Sequence, residues 1–238
     1  MREFQKTEGS ELGEMNNFQF SEKTIRQAFI RKVYAILLLQ LLVTCSISAL
    51  MTFHEDIKLF MHTSPHQIIV IVCAIIAFVL VIVLTCCNSV CRKHPTNLIF
   101  LIIFTLAESV VVGFICSLYD PKKVLLAAGI TAAICLCLTI FAFQTKFDFT
   151  GFGPYLFIFL IALVILGFVV PFFRSEWLVT LVSAGGAVLF SFYIIYDTQL
   201  MLGGDHKYSI SPEEHIFASL SLYLDIINLF LYILRLLR

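Results

Sequence analysis

The chain has 238 residues, of which 60% are hydrophobic and only 13% charged, with a formal net charge of zero. Soluble domains carry about 25% charged and 45–50% apolar residues. This composition, with a mean hydropathy of +0.96, therefore excludes a soluble domain and implies an integral protein whose first partner is the lipid bilayer. The balanced charge offers no handle for nucleic acid.

Residues 1–30 read as a polar tail (Glu3, Glu8, Glu11, Glu14, Lys23, Arg26) on the cytoplasmic side. The tail holds no hydrophobic run of the kind that marks a cleavable signal peptide, so the first apolar stretch is expected to act as the insertion signal. From residue 31 to 238 the chain reads as one seven-helix transmembrane domain. The predicted spans are 33–53, 67–90, 97–119, 123–144, 153–174, 177–201 and 214–236, each long enough for a helix to cross about 30 Å of hydrocarbon. Proline stops or kinks helices, and Pro65, Pro95, Pro121, Pro154 and Pro212 fall at or beside the connections, with Pro171 just before the polar break Arg174-Ser175-Glu176. Short connections throughout predict an all-α bundle.

Lys and Arg near span ends set orientation. With the N-terminus inside, eight fall on the cytoplasmic side (Lys23, Arg26, Arg31, Lys32, Arg92, Lys93, Lys146, Lys207) and six on the far side (Lys58, Lys122, Lys123, Arg174, Arg235, Arg238). A re-entrant last segment would make it ten against four. Either count favours a cytoplasmic N-terminus and leaves the C-terminus open. The last segment opens with a start signal: Ser211 as N-cap, Pro212 as first helical residue and Glu214 three positions after the cap, the pattern of a capping box.

Three ionisable side chains lie deep in the spans, all acidic: Glu108, Asp197 and Asp225. A carboxylate at mid-bilayer costs roughly 2.5–3.5 kcal/mol on insertion scales, so an acid retained there faces a protein interior or a wet cavity. Asp197 sits about five residues from the end of its span, roughly 8 Å deep, and Asp225 about nine residues into its own, roughly 14 Å deep at 1.5 Å per residue. Tyr193 lies four residues before Asp197 on the same helical face, and Gly186 about three turns before it, within the small-residue patch Ser183-Ala184-Gly185-Gly186-Ala187 that lets membrane helices approach. Ser221 and Asn228 flank Asp225 as a polar stripe. Two carboxyls brought together cannot both ionise cheaply, and such a pair shares a proton. The blander reading makes each aspartic acid a packing hydrogen bond. Glu108, with Thr105 and Ser109 nearby, reads equally as a neutral hydrogen-bonded acid or an ion-pathway ligand alongside Asn228 and Tyr193.

Cys45, Cys73, Cys116, Cys135 and Cys137 lie within apolar stretches, and Cys86, Cys87 and Cys91 at one membrane edge, so free thiols are expected. Cys86, Cys87, Cys91 and His94 match no structural zinc spacing, and no metal site is expected from them. Beside Arg92-Lys93 they read as juxtamembrane palmitoylation sites or as small helix-end residues.

Gln144-Thr145-Lys146-Phe147-Asp148-Phe149-Thr150, Tyr196-Asp197-Thr198-Gln199-Leu200-Met201-Leu202-Gly203, Ser209-Ile210-Ser211-Pro212-Glu213-Glu214 and Leu224-Asp225-Ile226-Ile227-Asn228 occur in that order. Together they resemble the Bax-inhibitor-motif proteins of the Lifeguard branch over residues 25–238. The resemblance implies seven helices with the last surrounded by the other six. It implies no enzyme and no cofactor, but a pH-sensitive leak with calcium as the permeant ion, gated by Asp197 and Asp225. It also implies residence in endoplasmic reticulum, Golgi or other membranes, the plasma membrane among them, and damping of apoptosis, with apoptosis-regulating membrane proteins as further partners. Some prokaryotic relatives place an arginine in the second helix against the aspartates. Residues 67–90 hold no basic residue, so that part of the latch does not carry over.

Other readings compete. An intramembrane aspartyl protease also places Tyr-Asp on one helix and a second Asp on the next, but its second Asp follows Gly-x-Gly where this chain has Leu222-Tyr223-Leu224, and Pro-Ala-Leu occurs nowhere. A seven-helix receptor would carry an Asp-Arg-Tyr-like switch after the third span, where this chain has Leu118-Tyr119-Asp120-Pro121. A membrane scaffold for apoptotic regulators needs no intramembrane chemistry.

Overall fold

A computed structural model describes residues 2–63, 65–86, 95–173, 175–204 and 207–238, with side chains described from residue 23 onward, Pro171 excepted. Eight α-helices follow one another among these residues: α1 (Arg2–Phe53), α2 (Glu55–His62), α3 (Gln67–Cys86), α4 (Thr96–Ser117), α5 (Pro121–Gln144), α6 (Gly153–Phe173), α7 (Glu176–Leu202) and α8 (His215–Leu236). Seven are long and apolar enough to cross a membrane, α1 doing so from Lys23 onward. The exception is α2, a short helix that the sequence reading did not anticipate, lying in the connection between the first two spans. The polar segment ahead of residue 30 continues α1 without a break.

The helix ends follow local chemistry. Asp120 caps α5 by accepting from the Lys122 amide at 2.8 Å, with Pro121 in the first position where no amide hydrogen is needed. Ser175 caps α7 by accepting from the Leu178 amide at 3.5 Å. Gly203, at φ +59°, ends α7 in a conformation that side chains rarely tolerate. Ser211 is the predicted cap of the last span, but the turn that follows, Pro212–Glu214, is a 3-10 turn, and α8 proper begins at His215.

Side chains on the outer faces are apolar and exposed, Phe159 at 63% and Phe168 at 75% among them. Water would penalise such a surface, whereas lipid accepts it. The bundle is thus turned toward the bilayer on the outside and packed on α8 within. Of the most apolar stretch of α8, 56% is buried, against 11% for α3. Leu220, Leu222 and Tyr223 are each buried although they point in different directions around the axis. The last helix is central, as expected, but it is not ringed evenly by six. Its principal neighbours are α1, α4, α5 and α7, while α3 packs chiefly on α4 and α6 chiefly on α7.

Candidate functional site

Asp197 arrives near the end of α7 and Asp225 in the middle of α8, and the two helices pack side by side. Their carboxyls come within hydrogen-bonding reach of each other, and both are buried, at 8% and 5% exposure. The close approach is built by small residues farther along α7. Ser183 and Gly186 are buried, and a Cβ on Gly186 would lie 2.7 Å from the Tyr232 ring of α8. Among the described residues, Asp225 Oδ2 has no donor aimed at it. Two acceptor groups facing each other bond only when a proton sits between them. The Tyr193 hydroxyl, from α7, lies within electrostatic range of both aspartates, and the Cys135 thiol, from α5, within electrostatic range of Asp225. Among the described residues, no Lys or Arg side chain interacts electrostatically with either aspartate.

Tyr223 is two residues before Asp225, roughly 200° around α8, and looks the opposite way. Its hydroxyl meets Thr44 Oγ1 at 2.8 Å, and Thr44 Oγ1 meets Ser109 Oγ at 2.9 Å. Its ring stands edge-on to Phe104. Glu108 lies within electrostatic range of Tyr223 and is half-buried. Of the predicted residues, the structure therefore unites Asp197, Asp225 and Tyr193, and sets Glu108 apart in a second polar layer between α1, α4 and α8. Asn228 turns its amide onto its own helix, donating to the Leu224 carbonyl at 2.8 Å.

At the end of the bundle where α7 stops and α8 starts, the motif segments knit together. Gln199, fully buried and two residues past Asp197, donates to the Phe147 carbonyl at 2.9 Å and accepts from the Phe149 amide at 2.7 Å. Asp148 accepts from the Lys207 amide at 2.8 Å and from Thr150 Oγ1 at 2.7 Å. Arg26 of α1 donates to the Ile210 carbonyl at 2.7 Å and lies directly on Gly203, leaving no room there for a side chain. The N-terminal end of the first span and the 203–211 connection thus share one end of the bundle. Replacing Gln199 by Leu strands an amide and a carbonyl, each costing about 1–3 kcal/mol if water stays out. The expected result is a lower melting temperature for Gln199→Leu in detergent, measured by thermal scanning, with Gln199→Glu intermediate because it keeps the acceptor.

The model of the family "Inhibitor of apoptosis-promoting Bax1" matches residues 26–238, nearly the whole chain and all four motif segments. The chain belongs to the Bax inhibitor family. Protein lifeguard 4 of Mus musculus is 43% identical over 214 residues, covering 90% of this chain and 86% of that protein. Protein lifeguard 3 of Homo sapiens is 39% identical over 223 residues, covering 92% of this chain and 70% of that protein. This Bax inhibitor family member therefore sits on the Lifeguard branch, and its linked motifs have a structural reading: they frame the aspartate pair and clamp the end of the bundle beside it.

Sequence reading missed Cys135 as a neighbour of the pair, the Gln199 clamp and the Arg26 clasp. None carries a local signal, since each depends on which helix ends meet. The Thr44–Ser109–Tyr223 group did carry one: Gln40, Thr44, Ser48 and Thr52 recur every four residues on one face of α1. Cys87, Cys91, Arg92, Lys93 and His94, singled out from the sequence, lie outside the described residues.

Proposed function

We propose that this protein is a pH-sensitive calcium leak in an intracellular membrane, endoplasmic reticulum or Golgi, with the N-terminus cytoplasmic. In this reading Asp197 and Asp225 act as its gate, and lowering stored calcium is how it restrains apoptosis. The observation that carries the reading is the pair itself: two carboxyls buried side by side on neighbouring helices. While one proton is shared, the pair bonds α7 to α8. When that proton leaves as pH rises, two like charges face each other in a medium of low dielectric and push the helices apart. Flux should therefore rise with pH.

The family's description, inhibitor of apoptosis-promoting Bax1, supports the apoptotic side of the proposal, and the family resemblance supports the calcium side. Calcium enters as the permeant ion and not as a resident cofactor. A protease is a poorer fit because peptide hydrolysis needs substrate and water to reach both carboxyls, and here both are enclosed by packed helices. The test is calcium efflux from liposomes holding the purified protein, measured across pH. Efflux no faster than from protein-free liposomes at every pH would leave a membrane scaffold for apoptotic regulators as the better reading.

A further inference from the structure

Glu108 and the hydroxyls around it are not used by the aspartate gate, yet Thr44, Thr105 and Ser109 among them are buried. Gln40, Thr44, Ser48 and Thr52 share one face of α1, turned toward α4. Gln40 Nε2 donates to Thr105 Oγ1 at 3.0 Å, and Thr44 Oγ1 meets Ser109 Oγ at 2.9 Å. These bonds alone would be ordinary glue between membrane helices. The remaining oxygens are different. Among the described residues, Gln40 Oε1 and Thr52 Oγ1 have no hydrogen-bond partner, on residues only 5% and 4% exposed. Ser48 Oγ lies within hydrogen-bonding reach of the Cys116 thiol. A polar atom left unpaired in a lipid-bounded interior costs several kcal/mol, and apolar side chains of the same size would avoid that cost.

We propose that the α1–α4 seam, with Glu108 as its acidic group, is the route by which a hard cation such as calcium passes between the far side of the membrane and Tyr223, on the face of α8 opposite Asp225. The proposal rests on the leak reading above. Carbonyl, hydroxyl and carboxylate oxygens are the ligands that suit calcium, and the seam supplies all three kinds in Gln40, the Thr and Ser hydroxyls, and Glu108. Its inner end is Tyr223, which bonds Thr44 from the face of α8 opposite Asp225. Its outer end is marked by Ser117 Oγ meeting His62 Nε2 at 2.9 Å. Between them α1 and α4 touch: a Cβ on Gly113 would lie 2.6 Å from Met51 Sδ and 3.3 Å from Ser48 Cα. The seam is therefore closed here at Gly113, and a flexible methionine side chain is what must move for it to open.

The test is calcium efflux from liposomes, measured across pH, for Glu108→Gln, Ser48→Leu and the near-isosteric Thr52→Val. Leu106→Ala, on the exposed face of α4, serves as control. The seam variants should slow efflux by about tenfold at every pH, with Leu106→Ala within about twofold of wild type, and the pH midpoint should stay where it is. Glu108→Asp should recover most of the rate. Should Ser48→Leu fail to give a monodisperse protein, Thr52→Val and Glu108→Gln still decide the matter. Wild-type rates in both would overturn the seam while leaving the leak intact, and so would a shifted pH midpoint, which would make Glu108 part of the gate. A wild-type protein that passes no calcium overturns the seam and the leak together.

Discussion

Asp225→Asn should abolish the pH dependence of calcium efflux and hold it near the low rate that the wild type shows at acidic pH. Asparagine keeps the size of the side chain and supplies an amide donor to the Asp197 carboxyl, which lies within hydrogen-bonding reach. The latch between α7 and α8 is then closed at every pH, because it no longer depends on a proton that can leave. In the wild type, loss of the shared proton sets two unit charges against each other, and at about 4 Å and an effective dielectric of 20 they repel by about 4 kcal/mol. Full reversal of a 99:1 equilibrium takes about 5.5 kcal/mol, so the repulsion supplies most of the bias a gate needs. Among the described residues, the other titratable groups within electrostatic range of Asp225 are Tyr193 from α7 and Cys135 from α5, and neither is removed by the substitution. Asp197→Asn should behave the same way. A variant that stays monodisperse and keeps the wild-type pH profile would reduce Asp225 to a packing hydrogen bond.

The pair was legible in the sequence because an acid in an apolar helix is expensive and therefore conspicuous, and because both acids could be assigned depths from the chain alone. The partition of polar groups around α8 was not. Asp225 and Tyr223 are neighbours in sequence and face opposite sides of one helix, so Glu108, which looked like a third member of one pathway, belongs with Tyr223 and Thr44 instead. Nothing in the spacing of Glu108 says which helix it will meet. The clamp at the end of the bundle was illegible for a related reason. Gln199 and Arg26 bond to backbone atoms of distant connections, and a backbone carbonyl has no sequence signature. The motifs 144–150 and 196–203 served to identify a family before their geometry could be read.

Those two polar faces bear on how the molecule would work as one unit. Residues of α8 touch the gate on one side and the seam on the other, so displacement of α8 relative to α7 also disturbs the Thr44–Tyr223 bond. A helix that is central and packed on four neighbours cannot shift without repacking them, and packed interfaces have discrete arrangements. The stability of the α7–α8 contact therefore sets how firmly the closed state is held.

Gly186 is the position where that contact is most exposed to test. A Cβ there would stand 2.7 Å from three carbons of the Tyr232 ring, nearer than any real contact permits, so either the ring or the helix must move. Helix propensity pulls the other way, since Ala is favoured over Gly by about 1 kcal/mol in a helix interior. Overpacking costs about 1–3 kcal/mol and should win, because the ring is wedged against Phe190 as well, with centroids 5.9 Å apart. Gly186→Leu adds three further carbons and should cost at least the top of that range. With about 2–4 °C lost per kcal/mol in a domain of this size, the melting temperature of Gly186→Leu should fall by about 6 °C or more in detergent. Tyr232→Ala, which opens the space, should recover part of that loss in the double variant although it is destabilising alone, a non-additive cycle that marks direct contact. Additive losses in the double variant would mean that α7 and α8 do not approach through Gly186 and Tyr232, and the register that brings Asp197 to Asp225 would fall with them.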